Sequence, residues 1–113
     1  MSIDKPLAPE VALMVKVFLG RLPVRFEKIN AALTLCQADP ANSANWRELH
    51  RLLDSLAEAG AAFGCDALAE QAALIELLLK DMLADGTPVA ADIDTVARLL
   101  AELQSGSQSG GSA

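Results

Sequence analysis

The residues best placed for chemistry in this 113-residue chain stand one helical turn apart, at His50, Asp54 and Glu58. Residues four apart share one face of an α-helix, so this spacing sets an imidazole beside two carboxylates. An acid next to a histidine raises the basicity of the ring and can tune a pH sensor. The same pair also occurs as an ordinary solvated contact, and both interpretations stay open from the spacing alone.

The other reactive side chains form no recognisable catalytic or metal-binding pattern. Cys36 and Cys65 are far apart, and with one histidine they make no metal-ligand cluster. Without a visible signal peptide we expect two free thiols, with Cys36 buried on an apolar stripe. Four acids that surround one end of the chain's last helices lack calcium-loop spacing: Asp81, Asp85, Asp92 and Asp94. We therefore expect no enzyme in the usual sense, no metal and no cofactor.

The charge of the chain is unevenly distributed. The net charge is −6, which argues against nucleic acid as a main partner. Residues 1–53 carry +2, whereas residues 54–113 carry −8. An acidic surface on the second half would steer a basic partner, although solubility alone also explains it.

Targeting features are absent from the sequence. No apolar run approaches the length of a membrane span, and no basic segment followed by an apolar stretch opens the chain. The sequence therefore predicts a cytoplasmic protein that does not contact a membrane, and it favours a monomer over a dimer.

Composition and periodicity predict an all-α fold. The chain has 21 Ala and 19 Leu, and its apolar residues recur at helical spacing. Pro23 predicts a kink or short break in the first helix, and Asp39-Pro40 predicts its end. The second helix is expected at 43–62, and its stripe includes Trp46, expected in the core.

Short connections between these helices predict an antiparallel up-down four-helix bundle with a kinked N-terminal helix. The expected third helix begins near Asp66, and a turn at 85–88 with a Thr87 cap precedes the last helix. We expect a flexible lead-in at 1–7, the bundle at 8–104, and a flexible Gly/Ser tail or linker at 105–113.

Residues 54–68 resemble the signature helix of histidine phosphotransfer (HPt) domains, the His-carrying bundles of bacterial phosphorelays. The matching positions are Leu56, Gly60, Phe63, Gly64 and Leu68, and residues 18–23 resemble the first helix of many members. The resemblance covers about residues 8–104. It implies the fold predicted above and a receiver domain or histidine kinase as partner.

Aligned on Phe63-Gly64, the chain departs from the family pattern on the reactive face. The phosphoacceptor histidine falls at Asp54, a frequent lysine at Ala57, and a usual glycine at Glu58. A carboxylate supplies no imidazole nitrogen, and two acids repel the acidic pocket of a receiver unless a bound Mg²⁺ softens the repulsion.

His50 lies one turn before Asp54 and is a candidate for a displaced phosphoacceptor. It stands 14 residues before Gly64, where the family histidine stands 10 before, a shift of about 6 Å along the helix.

The leading interpretation is therefore an HPt-like module that binds a receiver or kinase, as adaptor or inhibitor, without accepting phosphate. The expected partner-binding residues lie on one helix: His50, Arg51, Asp54, Ala57, Glu58 and Ala61. An active phosphotransfer protein using His50 and a structural or dimerisation bundle are the alternatives.

Overall fold

A computed structural model describes residues 9–110 and shows four α-helices there, with no strand in that range. Helix α1 spans Pro9–Ala38, α2 spans Ser43–Ala62, α3 spans Asp66–Ala84, and α4 spans Ala90–Gly110. This confirms the predicted all-α four-helix bundle. The predicted lead-in at 1–7 lies outside the described residues.

The helices follow one another around the bundle in chain order. Helix α2 packs against α1 and α3, α3 packs against α4, and α1 meets α4 only briefly. A reciprocal amide pair joins these two helices: Gln104 donates to Asn30 at 2.7 Å and accepts from it at 3.2 Å. Of the four described helices, α2 packs most extensively against two neighbours, α1 and α3.

The core consists of the apolar stripes that the sequence predicts. Trp46, Leu49, Leu53 and Leu56 of α2 are fully buried. The indole nitrogen of Trp46 donates to the carbonyl oxygen of Pro40 at 2.9 Å, so its one polar atom is satisfied inside the bundle. The predicted core position of Trp46 is confirmed.

Helix α1 is continuous through Pro23, where the sequence predicts a kink or a short break. Pro23 is exposed, and the helix runs on for 15 residues to Ala38 because its buried stripe continues on both sides of the proline. A break does not occur, since packing against α2 outweighs one missing backbone hydrogen bond.

Helix α4 begins later than the sequence predicts, and its span includes part of the predicted Gly/Ser tail, of which residues 111–113 lie outside the described residues. It begins at Ala90, and the Val89 carbonyl accepts hydrogen bonds from Asp92 and Ile93, so Thr87 is not the cap. The helix continues to Gly110 through part of the segment predicted to be a flexible tail. Its packed turns end at Leu103, and no proline follows to stop the backbone from continuing.

Candidate functional site

The turn at 63–65 fixes how α2 presents its exposed face. Gly64 has φ of +76°, a conformation that favours glycine, and Cys65 donates its backbone N–H to Gly60 at 2.8 Å. At the other end the Asn42 side chain accepts from the N–H of Ala44 at 3.0 Å. Both ends of α2 are therefore capped.

Gly60 allows α2 and α3 to approach closely. A Cβ atom placed there would lie 3.3 Å from the Cβ of Ala69 and 3.4 Å from two backbone atoms, the nitrogen of Ala69 and the oxygen of Cys65. This contact holds α2 and α3 close together near the turn that joins them. As a result, residues of α3 contribute to the candidate site.

His50 on α2 contacts a carboxylate of the neighbouring helix α3. Its Nε2 atom lies 3.5 Å from Oε1 of Glu76 on α3, and the two side chains are 33% and 23% exposed. The sequence pattern pairs His50 with Asp54 on its own helix, whereas the structure gives it a carboxylate from α3. The imidazole is thus half-buried against an acid.

Glu76 is also the neighbour of Asp54. Burial raises the pKa of the Glu76 carboxyl, and the negative charge of Asp54 and a hydrogen bond between the two carboxyl groups raise it further. His50 acts in the opposite direction, and Glu58 adds to the repulsion. The structure therefore gathers His50, Asp54 and Glu58 around Glu76, and we call these four residues the acidic cluster.

The other predicted partner-binding residues have different surroundings. Arg51 forms a bidentate ion pair with Glu48, one hydrogen bond of which is 3.0 Å long, and 64% of its side chain is exposed. This pair lowers the pKa of Glu48 through the hydrogen bond to Arg51. Ala57 is half-buried against the core, whereas Ala61 is exposed. Arg51 therefore does not join the acidic cluster.

A groove of about 790 Å³ runs between α1 and α2 on the side where Arg51 lies. Its basic lining residues are Arg21, Arg25, Lys28 and Arg51. Arg25 is held in place there, with its guanidinium 5.6 Å from the ring centre of Phe18 and a 3.4 Å hydrogen bond to Ser55. We call this feature the α1–α2 groove.

Sequence reasoning missed Glu76 and the basic residues of α1. Glu76 follows buried Ile75 and lies between the apolar positions of α3, which is a weak signal for an inter-helix contact. The sequence shows a net positive charge in the first half of the chain. Only the packing of α1 on α2 shows that the cations of α1 line one groove.

The two cysteines lie in the core of the bundle. Cys36 and Cys65 are free and buried, and burial raises the pKa of Cys36 to about 11 and also raises that of Cys65. Neither thiol is therefore a ready nucleophile.

Within residues 9–110 no three His, Cys, Asp or Glu side chains are grouped to hold a metal ion. None of the described helices is long and apolar enough to cross a membrane.

The comparison with protein families matches the Hpt domain over residues 13–106. This match covers most of the chain, so the chain belongs to the Hpt domain family, whose members are phosphotransfer modules of phosphorelays. Searches of curated proteins and of solved structures find no significant match.

Proposed function

We propose that this Hpt domain docks on a receiver domain or histidine kinase of a bacterial phosphorelay without accepting phosphate. It acts as an adaptor, or as an inhibitor that occupies the docking surface. The observation that carries the proposal is the acidic cluster, in which Asp54 stands where the resemblance places the phosphoacceptor histidine. A carboxylate at that position has no nitrogen lone pair to receive the phosphoryl group.

The electrostatics of the cluster support the loss of phosphotransfer. The negative charges of Asp54 and Glu58 contribute to the raised pKa of Glu76. A phosphoryl group carries negative charge, so its approach to this cluster is unfavourable. The frequent lysine of the family is Ala57, which offers no compensating cation.

His50 is the alternative phosphoacceptor, and one observation favours it: a third of its side chain is exposed. Its Nε2 atom, however, faces Glu76 at 3.5 Å. An imidazole nitrogen that attacks a phosphoryl group needs an unshared lone pair. Phosphorylation at Nε2 would therefore break the contact between His50 and Glu76. In the proposed function, His50 therefore positions the Glu76 side chain and does not accept phosphate.

The docking surface includes both signs of charge along α2. Arg47 and Arg51 are exposed toward its beginning, and Asp54 and Glu58 lie toward its end. An exposed arginine can grip a partner carboxylate in a bidentate manner, while the acids require a cation or bound Mg²⁺ opposite them. Such a pattern favours one orientation of the partner, because reversal would bring like charges together.

Calorimetric titration against purified receiver domains and histidine kinase cores tests the proposal. We expect the unmodified chain to bind at least one of them. Asp54→Lys and Glu58→Lys should each change the dissociation constant by about tenfold or more, equivalent to about 1.4 kcal/mol. Asp92→Lys is the matched control, since Asp92 is exposed, like Glu58, but lies on α4.

Two results would contradict the proposed function. Absence of binding to every receiver and kinase would favour a structural bundle. An equal effect of Asp92→Lys would show that net charge, rather than the face of α2, controls binding.

A further inference from the structure

An exposed stripe along α1 has the spacing of a helix-pairing surface. Its residues are spaced alternately three and four apart, and all are exposed: Met14, Val17, Arg21, Val24, Lys28, Ala31 and Leu35. Met14, Val17, Val24 and Leu35 are about half exposed, at 54%, 48%, 51% and 56%. We call this stripe the α1 seam. Such a repeat normally packs against another helix.

The charges of the α1 seam disfavour pairing with the same helix of a second copy. Arg21 and Lys28 stand on either side of Val24 near the middle of the seam. An antiparallel pair would set Arg21 opposite Lys28, and a parallel pair would set each cation opposite itself. Like charges at these positions are destabilising, so the helix that fits the seam must be acidic.

Helix α3 of this chain has a complementary surface. Glu70, Leu74, Leu77 and Asp81 are spaced four, three and four apart, and all are exposed. Leu74 and Leu77 are 65% and 64% exposed, the highest values among the large apolar side chains whose burial the structure describes. We call these four residues the α3 ridge. Two leucines lie between two acids, and the seam has an apolar centre between two cations.

The dimensions of the two surfaces match. The acids of the ridge are 11 residues apart, about 16 Å, and the two cations of the seam are seven apart, about 10 Å. The difference is about 3 Å at each end, which the long side chains of arginine and lysine can span. Helices α1 and α3 do not pack together within one chain. The ridge can therefore meet a seam only on another copy.

We propose that copies of this chain associate head to tail, with the α3 ridge of one copy seated on the α1 seam of the next. Helices α1 and α3 lie on different sides of the bundle, so a copy cannot use its seam and its ridge on the same neighbour, and each pairing leaves one seam and one ridge free for further copies. The contact is small and therefore weak. This proposal departs from the monomer that the sequence favours, and it does not depend on receiver binding.

Sedimentation velocity and equilibrium in the micromolar to millimolar range test the proposal. We expect the weight-average mass of the unmodified chain to rise with concentration beyond that of a dimer. Arg21→Glu/Lys28→Glu and Glu70→Lys/Asp81→Lys should each leave a monomer. A chain with all four changes should associate again, because the charges are then exchanged between seam and ridge.

The matched control for the seam variant is Lys16→Glu/Arg98→Glu, which makes the same change in net charge but lies outside both surfaces. We expect it to associate like the unmodified chain. Three results would overturn the proposal: a monomer at every concentration, which would leave the seam to a foreign partner or to none; a mass that stops at the dimer; or association that survives both charge reversals.

Discussion

The Glu76 carboxyl governs, at the residue scale, how the acidic cluster responds to pH. Its pKa is raised above the ordinary glutamate value by burial and by Asp54. The charged form is therefore less favourable in the folded chain than in the unfolded chain. The stability linked to this group is fully present below its unfolded pKa and is lost as the pH rises through its folded pKa.

Replacing Glu76 with glutamine should reduce this pH dependence. We expect Glu76→Gln to lose less folding free energy than the unmodified chain as the pH rises from about 4 to about 7. Urea unfolding across this range measures the difference, with exposed Glu70→Gln on the same helix as control. Parallel curves for Glu76→Gln and the unmodified chain would show that the acidic cluster does not oppose folding.

Asp54 should matter for chemistry and little for stability. It is half-buried at the surface of α2, and histidine there would face Glu76 as a partner of opposite charge when protonated. We expect Asp54→His to change the free energy of unfolding by less than about 0.5 kcal/mol. A large loss in thermal or urea unfolding would show a structural role for Asp54 and would undermine the alignment with the family.

Two glycines at the element scale should respond to alanine in opposite directions. At Gly60 the new Cβ would press on Ala69 and on backbone of the α2–α3 turn, and overpacking of this kind costs about 1–3 kcal/mol. At Gly20 nothing lies within 4 Å, so alanine should add about 0.5–1 kcal/mol through helix propensity. Urea unfolding of both variants measures the contrast, and stabilisation by Gly60→Ala would show that α2 and α3 are not closely fitted.

Most element boundaries could be predicted because local rules and packing agree. Helix α2 spans 43–62, the bounds that the sequence predicts, and Asn42, Gly64 and the apolar stripe between them define it. At Pro23 the break, one of the two predicted outcomes, does not occur, because the buried stripe of α1 continues on both sides of the proline. The approach at Gly60 could not be predicted, since it depends on where Ala69 of another helix lies.

At the scale of the whole molecule, the core should account for stability and the exposed leucines should not. Leu53 is fully buried and Leu74 is 65% exposed. Leu53→Ala should therefore cost roughly 2–5 kcal/mol, whereas Leu74→Ala should stay within about 0.5 kcal/mol at concentrations where the chain is monomeric. Comparable losses in chemical unfolding would mean that the bundle packs differently.

The whole-molecule arrangement explains why only part of the candidate site could be predicted. His50, Asp54 and Glu58 share a face through helical spacing, which the sequence alone reveals. Glu76 joins them only because α3 folds back beside α2, and Arg51 instead turns to Glu48 beside the α1–α2 groove. Side-chain partners across helices depend on the rotation of each helix about its axis, which apolar periodicity defines only coarsely.

Phosphoryl uptake tests the central claim most directly. The unmodified chain, His50→Ala and Asp54→His/Glu58→Gly would each be mixed with phosphorylated receiver domains and kinases. Bound phosphate that is acid-labile and base-stable would then be measured. We predict no uptake by the unmodified chain or by His50→Ala, and uptake by the double variant. Uptake by the unmodified chain that disappears in His50→Ala would contradict the account and would identify His50 as a working phosphoacceptor.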